Sequence, residues 1–122
     1  MPYYTANYNS PAYQNRKRLF VLNQLCETGL LDYLATIPRV QTVVLFGSTT
    51  RWDWHKESDI DLFIHGNPSE LALGKYELEL GRDIQVFVAD EKTIKNLPQK
   101  LLTNIAKGYI IRGNLDGLMA YA

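Results

Sequence analysis

The sequence predicts an α+β domain in which helices cover at least one face of a sheet of about four strands. Short apolar runs rich in β-branched residues alternate with longer helical patterns along the 122 residues. Apolar residues make up 46% and charged residues 21% of the chain, which is typical of a folded globular protein. The mass of 14.0 kDa fits one domain with one shared core.

The chain divides into a helical N-terminal part, 1–40, and a core, 41–122. Four of its tyrosines lie within the first fifteen residues and predict an arm that packs on the same domain. Ser10 as N-cap and Pro11 at the first helical position predict a helix that ends at Gly29.

The remaining elements follow from apolar runs and their bounding turn residues. We expect a short helix over 30–34 and strands over 41–46, 59–64, 84–89 and 109–112. Asn67 and Glu70 have the spacing of a capping box, which predicts a helix running to Gly81 with Leu71, Tyr76, Leu78 and Leu80 in the core. A further helical region is expected from Asp90 to Gly108, interrupted or restarted at Pro98.

Charge and cysteine content exclude several classes of protein. Thirteen basic and thirteen acidic residues cancel, so the totals do not predict a nucleic-acid partner, and the run 16–18 is expected to be a solvated helix face. The single cysteine, Cys26, forms no internal disulfide and is expected in the core. Neither a signal peptide nor a membrane span is expected, which favours a cytoplasmic location.

The chemically informative feature is the acid pair Asp59 and Asp61 on the second strand. Residues two apart on a strand face the same way, with Cα atoms roughly 6.5 Å apart. Two carboxylates on one face repel each other unless a cation lies between them, and oxygen ligands suit Mg²⁺ or Mn²⁺. The alternative is a half-exposed strand whose polar side faces water.

A turn at Gly47 and Ser48 directly follows the first strand. Glycine there lets the backbone turn sharply and leaves room for a ligand to approach the main chain. N–H groups at the start of a short helix after Ser48 would attract phosphate, and Arg51 could add a charge-assisted contact. A phosphate cradle beside a metal site is what transfer of a nucleotidyl group needs.

The whole pattern resembles the nucleotidyltransferase superfamily of DNA polymerase beta. Phe46-Gly47-Ser48, the ten residues 49–58, and Asp59-Ile60-Asp61-Leu62 fit its signature. The small size is similar to that of the minimal nucleotidyltransferases, the antitoxin-type partners of HEPN proteins. The resemblance implies a mixed sheet flanked by helices, Mg²⁺ and a nucleoside triphosphate donor, with Gly47 and Ser48 holding the triphosphate and Asp59 and Asp61 the metal.

The sequence leaves two alternatives, Asp83 and Gln85, for the position of a third acid. The resemblance implies an Asp or Glu on the next strand, where the sequence offers Asp83 and Gln85. If Asp83 occupies the position, the triad is complete and can help to deprotonate an acceptor hydroxyl. If Gln85 occupies it, the site has lost a carboxylate. We expect Asp83 to serve.

Two functions from different classes follow. The first is a metal-dependent nucleotidyltransferase that moves AMP from ATP to an acceptor hydroxyl on a partner protein. A HEPN-like protein and a second copy of the chain, in a homodimer, are the partners expected. The second function is a nucleotide-binding module that regulates a partner by contact.

Trp52 and Trp54 could stack on a nucleobase, cover the sheet edge or pack against a second subunit.

Overall fold

The computed structural model of the protein describes residues 10–50, 54–55 and 58–116. The helices are α1 (Pro11–Glu27), α2 (Leu30–Ala35), α3 (Gly74–Leu80) and α4 (Gln99–Ala106), and the strands are β1 (Val40–Phe46), β2 (Ile60–Gly66), β3 (Ile84–Ala89) and β4 (Tyr109–Arg112). Short 3₁₀ turns cover Ser48–Thr50 and Ile94–Asn96. Within the described ranges, no helix combines the length and apolarity needed to cross a membrane.

The strands form one mixed sheet in the order β3-β2-β1-β4. β1 pairs antiparallel with both β2 and β4, whereas β2 and β3 run parallel. The register places Asp61 opposite Phe46 on one side and opposite Gln85 on the other. This sheet with its flanking helices confirms the predicted fold class, and it makes β2 the strand that meets both β1 and β3.

Helices cover both faces of the sheet because the strands are apolar on both sides. On one face, Val43, Leu45, Ile60, Leu62 and Ile64 form a core with buried residues of α1, α2 and α3. On the other face, Val44, Phe46 and Phe63 pack with Leu102 and Ile105 of α4. Asp61 is two residues before Phe63 and therefore lies on the same face, the one that α4 covers, at the end of the strand nearest to Gly47.

The two N-terminal helices share a core with the sheet. The Ser10 hydroxyl caps α1 by accepting a hydrogen bond from the Tyr13 N–H at 3.5 Å. Val21 and Leu25 of α1 are buried in the same core as the sheet, together with Leu30 and Leu34 of α2. The predicted tyrosine-rich arm over residues 1–9 lies outside the described residues.

Three expectations are wrong. Asn67 does not cap a helix, because its backbone N–H donates to the Arg39 carbonyl at 2.8 Å, and α3 begins only at Gly74. Leu78 is 86% exposed, since the buried Tyr76 is two residues away and therefore on the opposite side of α3. Cys26 is exposed, because it follows the buried Leu25 on α1 and faces away from the core.

Candidate functional site

The acid pair lies where β2 begins, in the middle of the sheet. Asp59 precedes the strand and Asp61 is its second residue, while the intervening Ile60 is fully buried in the opposite face. Burial raises the pKa of the Asp61 carboxyl, and the neighbouring charge of Asp59 raises it further. Two carboxylates are therefore held on one face at an electrostatic cost that a cation would relieve.

The turn after β1 touches this pair directly. Gly47 has a φ of +85°, and a Cβ at this position would overlap the Asp61 carboxylate. The Thr50 N–H and hydroxyl both donate to the Gly47 carbonyl, at 3.1 and 2.7 Å, and close the 3₁₀ turn that Ser48 begins. Glycine is thus needed both for the backbone conformation and for the space in front of Asp61.

This geometry fits a hard divalent cation. The ligands offered are carboxylate oxygens, the two acids are neighbours on one face, and the glycine leaves open the space beside Asp61 that a side chain would fill. In the part of the chain that the structure describes, no three His, Cys, Asp or Glu side chains are grouped to hold a metal ion. Any cation here would complete its coordination with ligand phosphates and water.

A cleft of about 290 Å³ opens on the β1 side of the site, and its walls carry two cations. The described residues that line it are Arg18 of α1, Gly47, Thr50, Asn104 of α4 and Lys107. Sequence reasoning missed this arrangement: Arg18 was expected on a solvated face and Lys107 was not singled out. The sequence around Arg18 or Lys107 contains no motif that predicts a site, because only the packing of α1 and α4 brings these residues to the turn at Gly47. Arg51, the predicted phosphate contact, lies outside the described residues.

On the β3 side, Gln85 faces the acid pair. Its side-chain amide donates a hydrogen bond to the Asp59 carboxylate at 3.0 Å, and its Cα is paired with that of Asp61. Asp83 precedes β3, and its carbonyl accepts a hydrogen bond from the Ile60 N–H at 2.9 Å. Asp83 lines a second cleft, of about 430 Å³, together with Asp59 and Arg82. A catalytic part for Asp83 stays a prediction.

Arg82 fixes the segment that leads into Asp59. One guanidinium nitrogen, Nη1, donates to the carbonyls of His55 and Ser58, each at 2.9 Å. His55 and Ser58 are themselves joined, since the His55 N–H donates to the Ser58 hydroxyl and the Ser58 N–H donates to the His55 carbonyl. The backbone before Asp59 is therefore bonded to the start of β3.

Trp54 packs against its own chain. Its indole N–H donates to the Lys17 carbonyl at 2.9 Å, and its ring stacks with Phe20 at a centroid distance of 5.8 Å. The Lys17 ammonium and the Arg82 guanidinium lie 4.6 and 4.9 Å from the ring centroid. These contacts place Trp54 against α1 and Arg82 of its own chain, which none of its three predicted roles anticipated. Trp52 lies outside the described residues.

The chain has distant likenesses among solved structures. A mutant of the toxin-antitoxin MntA-HpeT aligns at 18% identity over 86% of this chain and 80% of that chain, with a TM-score of 0.45. A toxin-antitoxin structure with AMP-PNP aligns at 20% identity over 86% of this chain and 80% of that chain, with a TM-score of 0.47. No curated protein sequence matches significantly.

The sequence itself carries the stronger similarity. The model of the nucleotidyltransferase domain family matches residues 28–111, which is more than half of the 122 residues. The match includes the turn, both acids and the four strands except Arg112, the last residue of β4. The match agrees with the signature formed by Gly47, Ser48, Asp59 and Asp61. The chain therefore belongs to the nucleotidyltransferase domain family, and its class of enzyme is nucleotidyltransferase.

Proposed function

We propose that the protein transfers AMP from ATP to an acceptor hydroxyl, with Mg²⁺ or Mn²⁺ held by Asp59 and Asp61. The observation that supports this most directly is the contact between Gly47 and the Asp61 carboxylate. This contact places a turn that could bind phosphate next to a pair of acids that could bind a metal ion. A metal ion bound there would neutralise phosphate charge and polarise the phosphorus–oxygen bonds.

The donor phosphates would lie in the cleft on the β1 side. Lys107 supplies a positive charge there, and Gly47, Ser48 and Thr50 supply backbone that a phosphate oxygen can approach closely. Arg51, which follows Thr50 in the sequence, is proposed as a further phosphate contact. These groups would orient the triphosphate with its α-phosphorus towards Asp61.

The transfer itself is a displacement at phosphorus. The acceptor oxygen attacks the α-phosphorus of ATP, a new oxygen–phosphorus bond forms, the bond to the bridging α–β oxygen breaks, and pyrophosphate leaves. The hydroxyl proton must pass to a base. We propose Asp83 for this part, because it lines the same cleft as Asp59.

The acceptor is proposed to be a hydroxyl on a partner protein. The cleft beside Asp59 is open and large enough to admit a side chain from another chain. A HEPN-like toxin is the partner that the family resemblance implies. A second copy of this chain is the other protein that could carry the acceptor hydroxyl. A cytoplasmic setting, where an exposed Cys26 would stay reduced, fits both.

Transfer of label from α-³²P-ATP tests this proposal. The protein, Mg²⁺ and a candidate partner are incubated, and covalent label on either protein is measured. Asp59→Asn and Asp61→Asn should each abolish the label, whereas Asp32→Asn, an exposed aspartate on α2, should leave it unchanged. Equal labelling by all four proteins would contradict the proposal.

A second candidate function is favoured by Gln85. Because this amide hydrogen bonds to Asp59 where the resemblance implies a third carboxylate, the site could bind nucleotide without efficient transfer. The domain would then regulate a partner by contact alone. In that case the wild type gives no label, and partner binding survives both Asp59→Asn and Asp61→Asn.

A further inference from the structure

Helix α1 precedes the region that the family shares, yet it reaches the donor side of the site. The family match begins at residue 28, and α1 ends at Glu27. Arg18 of this helix nevertheless lines the cleft at Gly47. We infer that α1 is part of the donor site of this protein and that Arg18 binds the polyphosphate of the nucleotide. The inference rests on the proposed function and adds to it a residue outside the region that the family model matches.

The residues that line the cleft suit an anionic ligand such as a polyphosphate. Its described lining contains two cations, Arg18 and Lys107, one amide from Asn104, and no acidic residue. A guanidinium presents several N–H donors in a plane and can bind two phosphate oxygens at once. With Arg18 and Lys107 coming from different helical segments, a polyphosphate between them would neutralise both charges.

The position of Arg18 is set by its neighbours on the helix. The carbonyl of the preceding residue, Lys17, accepts the indole hydrogen bond of Trp54 at 2.9 Å, and Phe20 stacks on the same indole. Val21 and Leu25 anchor the other side of α1 in the core. The helix therefore cannot rotate away from the turn without losing these contacts, so the Arg18 side chain stays within reach of the cleft.

Arg16 provides a matched comparison on the same helix. It is also an exposed arginine, but its Nε donates to the Ala12 carbonyl of its own helix, at 3.4 Å, and it does not line the cleft. If a general positive charge on α1 were enough to attract nucleotide, Arg16 and Arg18 would contribute alike. If the inferred contact exists, only Arg18 matters.

Calorimetric binding of inorganic triphosphate and of Mg²⁺-ATP tests the inference with the full chain. Arg18→Gln should weaken both ligands by about tenfold or more, since a hydrogen bond to a charged group is lost. Arg18→Lys should lose less, because it keeps the charge but not the planar pair of donors, and Arg16→Gln should bind like the wild type. The melting temperatures should stay alike, which shows that the variants are folded.

The possible failures are distinguishable. If the wild type binds both ligands and Arg18→Gln binds them equally well, the inference is wrong and the proposed function stands. Equal losses in Arg16→Gln and Arg18→Gln would also overturn it, since a diffuse charge effect then explains the data. If the wild type binds neither ligand, the proposed function and the inference fail together.

Discussion

The Gln85 side chain donates a hydrogen bond to Asp59 at 3.0 Å and so places a neutral amide beside a candidate metal ligand. In the sheet, the same residue is the partner of Asp61. The amide therefore keeps Asp59 oriented and adds no negative charge to a site in which Asp61 already has a raised pKa.

Gln85→Glu tests how a neutral side chain at this position affects stability and transfer. We expect the free energy of unfolding to fall by about 1 kcal/mol without metal, because a hydrogen bond is replaced by repulsion between carboxylates. With Mg²⁺, the variant should regain stability and transfer label faster than the wild type. Gln85→Met, which only removes the hydrogen bond, should show no such gain with Mg²⁺. A Gln85→Glu variant that transfers label no faster than the wild type with Mg²⁺ would contradict this expectation, whereas loss of transfer in Asp83→Asn is expected from the base proposed above.

Gly47→Ala separates backbone strain from the contact with Asp61. Alanine at a φ of +85° costs about 1–2 kcal/mol, and its Cβ would also displace the Asp61 carboxylate. Gly29→Ala is the matched control, because Gly29 has a φ of +83° and open space around a Cβ. Chemical denaturation should show a loss of stability in both variants, and only Gly47→Ala should lose stabilisation by Mg²⁺-ATP. Full stabilisation by the nucleotide in Gly47→Ala would speak against a site at this turn.

Asp61→Asn should stabilise the metal-free protein at neutral pH. The folded-state pKa of Asp61 is raised, so its contribution to stability is present at low pH and is lost as the pH rises through that pKa. An asparagine at this position stays neutral at every pH, so the variant does not lose this stability as the pH rises. In EDTA, the melting temperature of Asp61→Asn should exceed that of the wild type at pH 7, and the difference should shrink as the pH falls towards 4. A variant that melts below the wild type at pH 7 would refute the electrostatic reasoning.

Arg82→Met tests whether the segment before Asp59 must be fixed. The change removes two hydrogen bonds to backbone carbonyls and should cost about 1–3 kcal/mol of unfolding free energy. Arg112→Met is the control, since Arg112 donates to the Ile37 carbonyl at 2.6 Å, away from the acids. Binding of Mn²⁺, followed by electron paramagnetic resonance, should weaken in Arg82→Met and not in Arg112→Met. Equal affinities would mean that Arg82 contributes to stability alone.

The sequence predicted most of what depends on local patterns. All four strands and the start of α1 follow from apolar runs and capping residues, and the spacing from Gly47 to Asp61 identified the turn and the acids. These features are fixed by neighbours along the chain. The helix predicted from Asn67 was wrong because a long-range hydrogen bond to Arg39 overrides the local capping pattern.

The remaining features depend on contacts between distant segments. Arg18 and Lys107 meet at Gly47 only because α1 and α4 flank the sheet, and neither has a signature in its own segment. The choice between Asp83 and Gln85 depends on the register of the parallel pair β2 and β3, which alternation along one strand does not determine.

Binding of Mg²⁺-ATP, measured as the change in unfolding free energy, tests the central claim most directly. At about 100 times its Kd, the nucleotide should add about 2.7 kcal/mol to the wild type. The gain should disappear in EDTA and in the double variant Asp59→Asn, Asp61→Asn. A wild type whose stability does not respond to Mg²⁺-ATP, or a double variant that responds equally, would contradict the claim that these acids and the turn at Gly47 form a nucleotide site.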